Sequence, residues 1–282
     1  MDFFSLKLTV NGIYIKPTWS NLKLDTMKNT LKHIIYGTGI CILALTACKD
    51  DTTTPTTTTD DTNNDELAVY KKVYGATDIY KDGDFVVIKC NGLPDHKSPY
   101  YQGTQWSDLY EDYNGTNPDY RKNPNTIAES SFVFRIPMNP MELESGNQST
   151  SLGPMGVAIN GVALYNQYAG PNNQPLTDEI NSFDQYNGHP QQQGNYHYHL
   201  EPTYLTANKG KNALLGFMLD GFPVYGPMED GALVKESDLD NFHGHKHVTA
   251  DYPDGIYHYH ITDTDPYING DGFKGTPGTL TR

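Results

Sequence analysis

The sequence predicts a mainly β fold: an internally duplicated, β-sandwich-like domain with approximate twofold symmetry and long loops. Three observations lead there. Short apolar runs with period-two alternation recur, while helical periodicity is scarce. One ordered set of motifs occurs twice, over about 156–199 and about 216–260. The chain is also rich in tyrosine, with 21 Tyr against 10 Phe and 2 Trp. Tyrosine suits strands, and its hydroxyl needs a partner when the ring is buried.

The first elements are not part of the fold. Lys28 and Lys32 precede an apolar run from Ile34 to Leu45, too short to span a bilayer and suited to a signal-peptide core. Met27 places the charged end beside that core, so residues 1–26 read as upstream sequence and 27–47 as the signal peptide. The run ends in Leu45-Thr46-Ala47-Cys48, which resembles the lipobox of bacterial lipoproteins. The resemblance implies cleavage before Cys48 and acylation (palmitate) of that cysteine, which anchors the chain to a membrane. Lys49-Asp50-Asp51 is similar to a short signal that sends some lipoproteins to the outer face of the outer membrane. The expected location is the outer membrane, facing outward or else facing the periplasm.

Residues 48–65 are dominated by Thr and Asp without apolar periodicity and read as a disordered stem. One β domain then fills 66–282. Leu67–Tyr70, Phe85–Ile88 and Ser131–Met138 read as strands, residues 92–128 as long loops, and Lys235–Phe242 as one short helix. Cys90 follows an apolar run and reads as a buried thiol at a strand end. With Cys41 in the signal and Cys48 acylated, no disulfide framework is expected.

The repeat begins with Gly156-Val-Ala-Ile-Asn-Gly-Val-Ala-Leu-Tyr165, matched by Gly216-Phe-Met-Leu-Asp-Gly-Phe-Pro-Val-Tyr225. Asn-Gly and Asp-Gly between apolar runs predict tight type I′ hairpins. Downstream, Asp184 and Gly188-His189 match Asp240 and Gly244-His245. Tyr196-His197-Tyr198-His199 then matches Tyr257-His258-Tyr259-His260.

On a strand, residues i and i+2 share a face, so His197 pairs with His199 and His258 with His260, with the tyrosines on the opposite face. Imidazoles at that spacing can converge on one ion. Adding the Gly-His residues gives two metal-ligand sets: His189, His197 and His199, then His245, His258 and His260. A single site shared at the twofold axis fits the sequence equally well. Asp184, Asp240 and Asp220 are candidates for orienting the ligands. All-nitrogen ligation suits Zn²⁺, Cu²⁺ or Ni²⁺, and an open position would allow metal-dependent catalysis. His243 and His247 lack counterparts in the first repeat and read as loop residues.

Two other readings stand beside the metal. Tyr100, Tyr101, Trp106, Tyr110, Tyr113 and Tyr120 could stack on a glycan or other small ligand, as in a surface glycan- or peptide-binding module, or simply pack. The histidines could also form a structural polar network. A net charge of −14 argues against nucleic acid. The sequence has no Gly-x-Ser-x-Gly, P-loop or dinucleotide fingerprint.

The Tyr-His-Tyr-His strands, Asp220-Gly-Phe-Pro-Val-Tyr-Gly-Pro227 and Asp265-Pro266-Tyr267 closely resemble the YHYH-domain proteins over roughly 130–275. That resemblance implies an exported bacterial domain and carries no particular reaction.

Overall fold

The computed structural model describes residues 66–144, 148–170 and 172–282. The signal peptide, Cys48 and the stem lie outside the described residues. The strands are β1 (Ala76–Asp82), β2 (Phe85–Cys90), β3 (Phe132–Pro137), β4 (Gly156–Ala158), β5 (Ala163–Leu164), β6 (Tyr168–Ala169), β7 (Gln174–Pro175), β8 (Gly188–Pro190) and β9 (Tyr196–Tyr198). After helix α1 (Thr203–Lys209) come β10 (Leu214–Met218), β11 (Pro223–Tyr225), β12 (Met228–Glu229), β13 (Ala232–Leu233), β14 (Gly244–His247), β15 (Ile256–His260) and β16 (Thr279–Thr281).

The mainly β expectation holds. A four-stranded sheet has the order β1-β2-β3-β16, and an eight-stranded sheet the order β14-β15-β11-β10-β4-β5-β9-β8. The larger sheet reads the same from either edge. At its centre β4 and β10 pair antiparallel. On each side follow an antiparallel hairpin (β4–β5, β10–β11), a parallel pair (β5–β9, β11–β15) and an antiparallel edge pair (β8–β9, β14–β15). Both histidine strands therefore run parallel to the second strand of their own hairpin.

The inner strands β4, β5, β9, β10 and β11 are buried along their whole length. They are covered on both faces, as near-continuous apolar runs require. Val86, Ile88, Phe132, Phe134 and Ile136 of the smaller sheet share one core with Val157, Leu164, Phe217 and Val224 of the larger. Cys90 ends β2, buried and unpaired, with burial pushing its thiol up to about 12.

Three local expectations are corrected. Leu67–Tyr70 is not a strand. The Lys71 amide donates to Leu67 O at 3.0 Å, and a 3₁₀ turn covers Tyr70–Lys72. Leu67, Tyr70 and Val73 are the buried positions, a spacing of three that a helical turn places on one side. The helix expected over Lys235–Phe242 contracts to a 3₁₀ turn at Glu236–Asp238.

The hairpins form, but not as type I′ turns. Gly161 N donates to Ala158 O and Gly221 N to Met218 O, so the central turn residues are 159–160 and 219–220. Only the glycines take positive φ, +81° and +95°, closing three-residue loops. A Cβ on Gly161 would stand 2.6 Å from Gly75 O, and one on Gly221 2.4 Å from Pro137 O. Close backbone approach thus requires glycine a second time at these positions.

Candidate metal centres

The alternation of β9 and β15 sends tyrosines to one face and histidines to the other, and both faces are buried. On the tyrosine face, Tyr196 Oη donates to Asp184 at 2.9 Å and Tyr257 Oη to Asp240 at 2.8 Å. Tyr259 Oη donates to Asp220 at 2.6 Å, and in the other half Asn160 Nδ2 donates to Tyr198 Oη at 3.1 Å. Asp184 also accepts from Ser98, and Asp220 from Gly275 N. The aspartates expected to orient histidines instead hold the tyrosines, because strand alternation puts them across the sheet from the imidazoles. Burial pushes Asp220 up to about 6 and raises Asp184 as well, against the bonds both accept.

On the histidine face each half gathers its three imidazoles. The edge strands align His189 opposite His197 and His245 opposite His258. His189 Nε2 lies 3.1 Å from His197 Nε2, which lies 3.0 Å from His199 Nε2. His258 Nε2 lies 3.0 Å from His260 Nε2. Donors about 2.0–2.1 Å from a tetrahedral ion stand roughly 3.3 Å apart, close to these separations.

The other ring nitrogens are engaged in matching ways in the two halves. His197 Nδ1 meets Asn195 O at 3.0 Å, as His258 Nδ1 meets Ile256 O at 3.1 Å. His199 Nδ1 meets Asn166 O at 2.5 Å, as His260 Nδ1 meets Gly226 O at 2.8 Å. His189 Nδ1 meets Ser182 Oγ at 2.7 Å, and His245 Nδ1 meets Asp238 O at 3.2 Å. A carbonyl only accepts, so in the five rings that meet one Nδ1 carries the hydrogen and Nε2 of the neutral ring presents a lone pair. Burial, with the neighbouring imidazoles, favours the neutral form of four rings: His197 is held well below the ordinary range, His258 is lowered, and His199 and His260 lie at about 4.

Each cluster acquires a carboxylate that the repeat pattern did not reveal. Glu179 Oε1 lies 3.2 Å from His189 Nε2, and Glu229 Oε1 3.2 Å from His258 Nε2. One donor atom from each of Glu179, His189, His197 and His199 lies within 4.8 Å of all the others, and the same holds for Glu229, His245, His258 and His260. The two carboxylates come from non-equivalent elements. Glu179 starts a 3₁₀ turn, whereas Glu229 ends β12 in the hairpin before the corresponding turn. No spacing rule shared by the halves could have found both. Burial opposes ionisation of each, but the surrounding histidines bring both below the usual carboxylate range.

The centres also differ in enclosure. The His189 side chain is 4% exposed, its counterpart His245 23%. His245 Nε2 and His247 Nδ1 are buried atoms without hydrogen-bond partners, each 3.1 Å from an oxygen of Glu229. These contacts are close enough for an ion pair but lack hydrogen-bond geometry. His247, expected in a loop, therefore sits at the end of β14 beside the second centre. His243 occupies a turn at φ +72°, buried and bonded to Thr262, away from the ligand cluster.

The loop aromatics pack mainly on the protein itself. Tyr100 and Tyr101 are fully buried, Trp106 sets its ring edge-on to Tyr101, and Tyr113 stacks on Tyr120 at 3.8 Å. Tyr110 bonds Asp112. No motif marks His96, which is buried with Nε2 3.0 Å from Tyr198 Oη, on the tyrosine side of the sheet.

No curated protein and no solved structure matches the chain. A family model described as YHYH protein matches residues 133–232 and 227–275, which together contain both hairpins, both histidine clusters and both carboxylates. That span is half of the sequence, and the chain belongs to the YHYH protein family.

Proposed function

We propose that this chain is an exported, lipid-anchored protein that binds two transition-metal ions, one in each half of the large sheet. One ion would be held by His189, His197, His199 and Glu179, the other by His245, His258, His260 and Glu229. The observation that carries the reading is the facing of Nε2 atoms across 3.0 Å in His197–His199 and in His258–His260. Both Nδ1 hydrogens of each pair are committed to backbone carbonyls, so two lone pairs point at one another. A cation between them relieves that repulsion without giving up either carbonyl bond, and burial disfavours an added proton on these rings. Three imidazoles and a carboxylate suit Zn²⁺ or Cu²⁺.

Metal analysis of the purified protein tests this. About two ions per chain are expected, falling to one in His197→Ala/His199→Ala and to one in His258→Ala/His260→Ala. Absence of bound metal, with no thermal shift on adding Zn²⁺ or Cu²⁺, sinks the proposal.

The anchor rests on Leu45-Thr46-Ala47-Cys48 and the apolar run before it. Palmitate labelling that persists in Cys48→Ser would overturn it. Protease accessibility on intact cells separates a surface location from a periplasm-facing one.

A further inference from the structure

The two centres open onto different surroundings. A cavity of about 500 Å³ beside the first is lined by His197, His199 and Glu179, with Gln191, Gln192 and Gln193 along its wall. The cavity beside the second is larger, about 650 Å³, and reaches both Glu229 and His260. Its volume falls in the range of small-molecule sites. Lys71, Lys72 and Lys209 stand in its lining, the first two from the 3₁₀ turn after Leu67 and the third from the end of α1. The same lining holds three carboxylates, Glu229, Asp230 and Asp251, so its formal charges balance before any ion is bound.

Two of these carboxylates are engaged. Asp251 pairs with Lys72 and accepts from Tyr225 Oη at 3.0 Å. Glu229 faces four histidines. Asp230 projects from the β12–β13 turn with its side chain 83% exposed. Thr249 Oγ1, 2.8 Å from Tyr225 Oη, adds a hydroxyl to the wall. A divalent ion at the Glu229 centre would give the lining as a whole a net positive charge.

We infer that the cavity over the Glu229–His260 centre binds a small oxyanion, a carboxylate or phosphate group, between the bound ion and Lys71, Lys72 and Lys209. This inference rests on the metal reading above. In this arrangement one oxygen of the anion approaches the ion from the cavity side, opposite the strand that carries His258 and His260. The remaining oxygens face the lysines, and the rest of the molecule occupies the cavity. The cavity at the first centre carries a single cation, Arg282, beside Gln191, Gln192 and Gln193, and has no corresponding cluster of lysines.

The test uses full-length protein loaded with Co²⁺, whose visible absorption reports its coordination. Inorganic phosphate and succinate are titrated separately, which distinguishes the two anion chemistries. A spectral change with either is expected, surviving in His197→Ala/His199→Ala and absent in His258→Ala/His260→Ala. Lys71→Gln/Lys72→Gln/Lys209→Gln should keep its cobalt and bind the anion roughly tenfold or more weakly. Two bound cobalt ions with a spectrum indifferent to both anions overturn the inference and leave the metal reading standing. A response unchanged by the lysine substitutions, or one that follows the first centre, also overturns it. A protein that takes up no cobalt fails at the earlier step and removes both readings.

Discussion

Ala169 and Glu229 end the first strand of equivalent two-stranded hairpins, β6–β7 and β12–β13, yet only Glu229 carries a carboxylate into a histidine cluster. The first half recruits Glu179 from its 3₁₀ turn instead. In the second half the corresponding turn offers Glu236, which accepts from Thr262 at 2.9 Å and lies 3.4 Å from His243. The two centres are therefore built on matched imidazoles and unmatched acids.

That asymmetry predicts independent losses. Glu179→Gln should weaken metal binding at the first centre alone, and Glu229→Gln at the second alone. Each loss should exceed the roughly 10–100-fold typical of removing an outer partner. Glu236→Gln should leave both affinities intact. Competition with a chromophoric chelator reads all three, and a loss shared between centres would contradict the assignment.

Acid should act on the metal-free protein in a stated direction. Burial, with the neighbouring imidazoles, holds His199 and His260 at about 4 against an ordinary 6.5. Below about 6.5 the unfolded chain binds protons at these positions and the folded chain does not, so stability falls as pH drops from 6.5 toward 4. Urea midpoints at pH about 7 and about 5 measure the difference. Metal affinity should fall in the same direction, because protons compete for Nε2.

The tyrosine face should govern stability and not metal content. Tyr259→Phe removes a hydroxyl that donates to buried Asp220 and accepts from Lys274 N. It should cost about 1.5–3 kcal/mol by chemical denaturation, the range for a bond to a charged group. Metal stoichiometry should not change. An equal cost with loss of one ion would tie the two faces together.

Gly161→Ala and Gly221→Ala should each be severely destabilising. Both positions take positive φ, and the new Cβ would meet a backbone oxygen at 2.6 or 2.4 Å. Strain alone is of order 1–3 kcal/mol, and backbone displacement adds to it. Thermal unfolding checks this, with Gly231→Ala as a comparison, since its Cβ would meet nothing within 4 Å.

Several features were legible in the sequence because they depend on local rules. Period-two alternation settles that the histidines of Tyr-His-Tyr-His share one face and the tyrosines the other. Recurrence of Gly-His before each such strand pointed to the third imidazole, and β8 and β14 bring it to His197 and His258 by antiparallel register. Apolar runs on both sides of Asn160-Gly161 and Asp220-Gly221 marked the hairpins, although in each turn only the glycine takes positive φ and the type I′ expectation fails.

Other features were decided only by the tertiary structure, since they join residues with no fixed spacing. The Nδ1 partners of His199 and His260 are the carbonyls of Asn166 and Gly226, far back in the chain, and a carbonyl leaves no trace in side-chain identity. The aspartates resembled histidine partners because they lie near the motif in sequence, but the sheet separates them from the imidazoles. Glu179 and Glu229 reach equivalent places by different routes, so no comparison of the halves could align them. The sequence by itself singled out the six histidines; folding decided that they gather as two sets of three and which acids join them, because a carboxylate needs only to arrive within a few ångströms and not from any particular position in the chain.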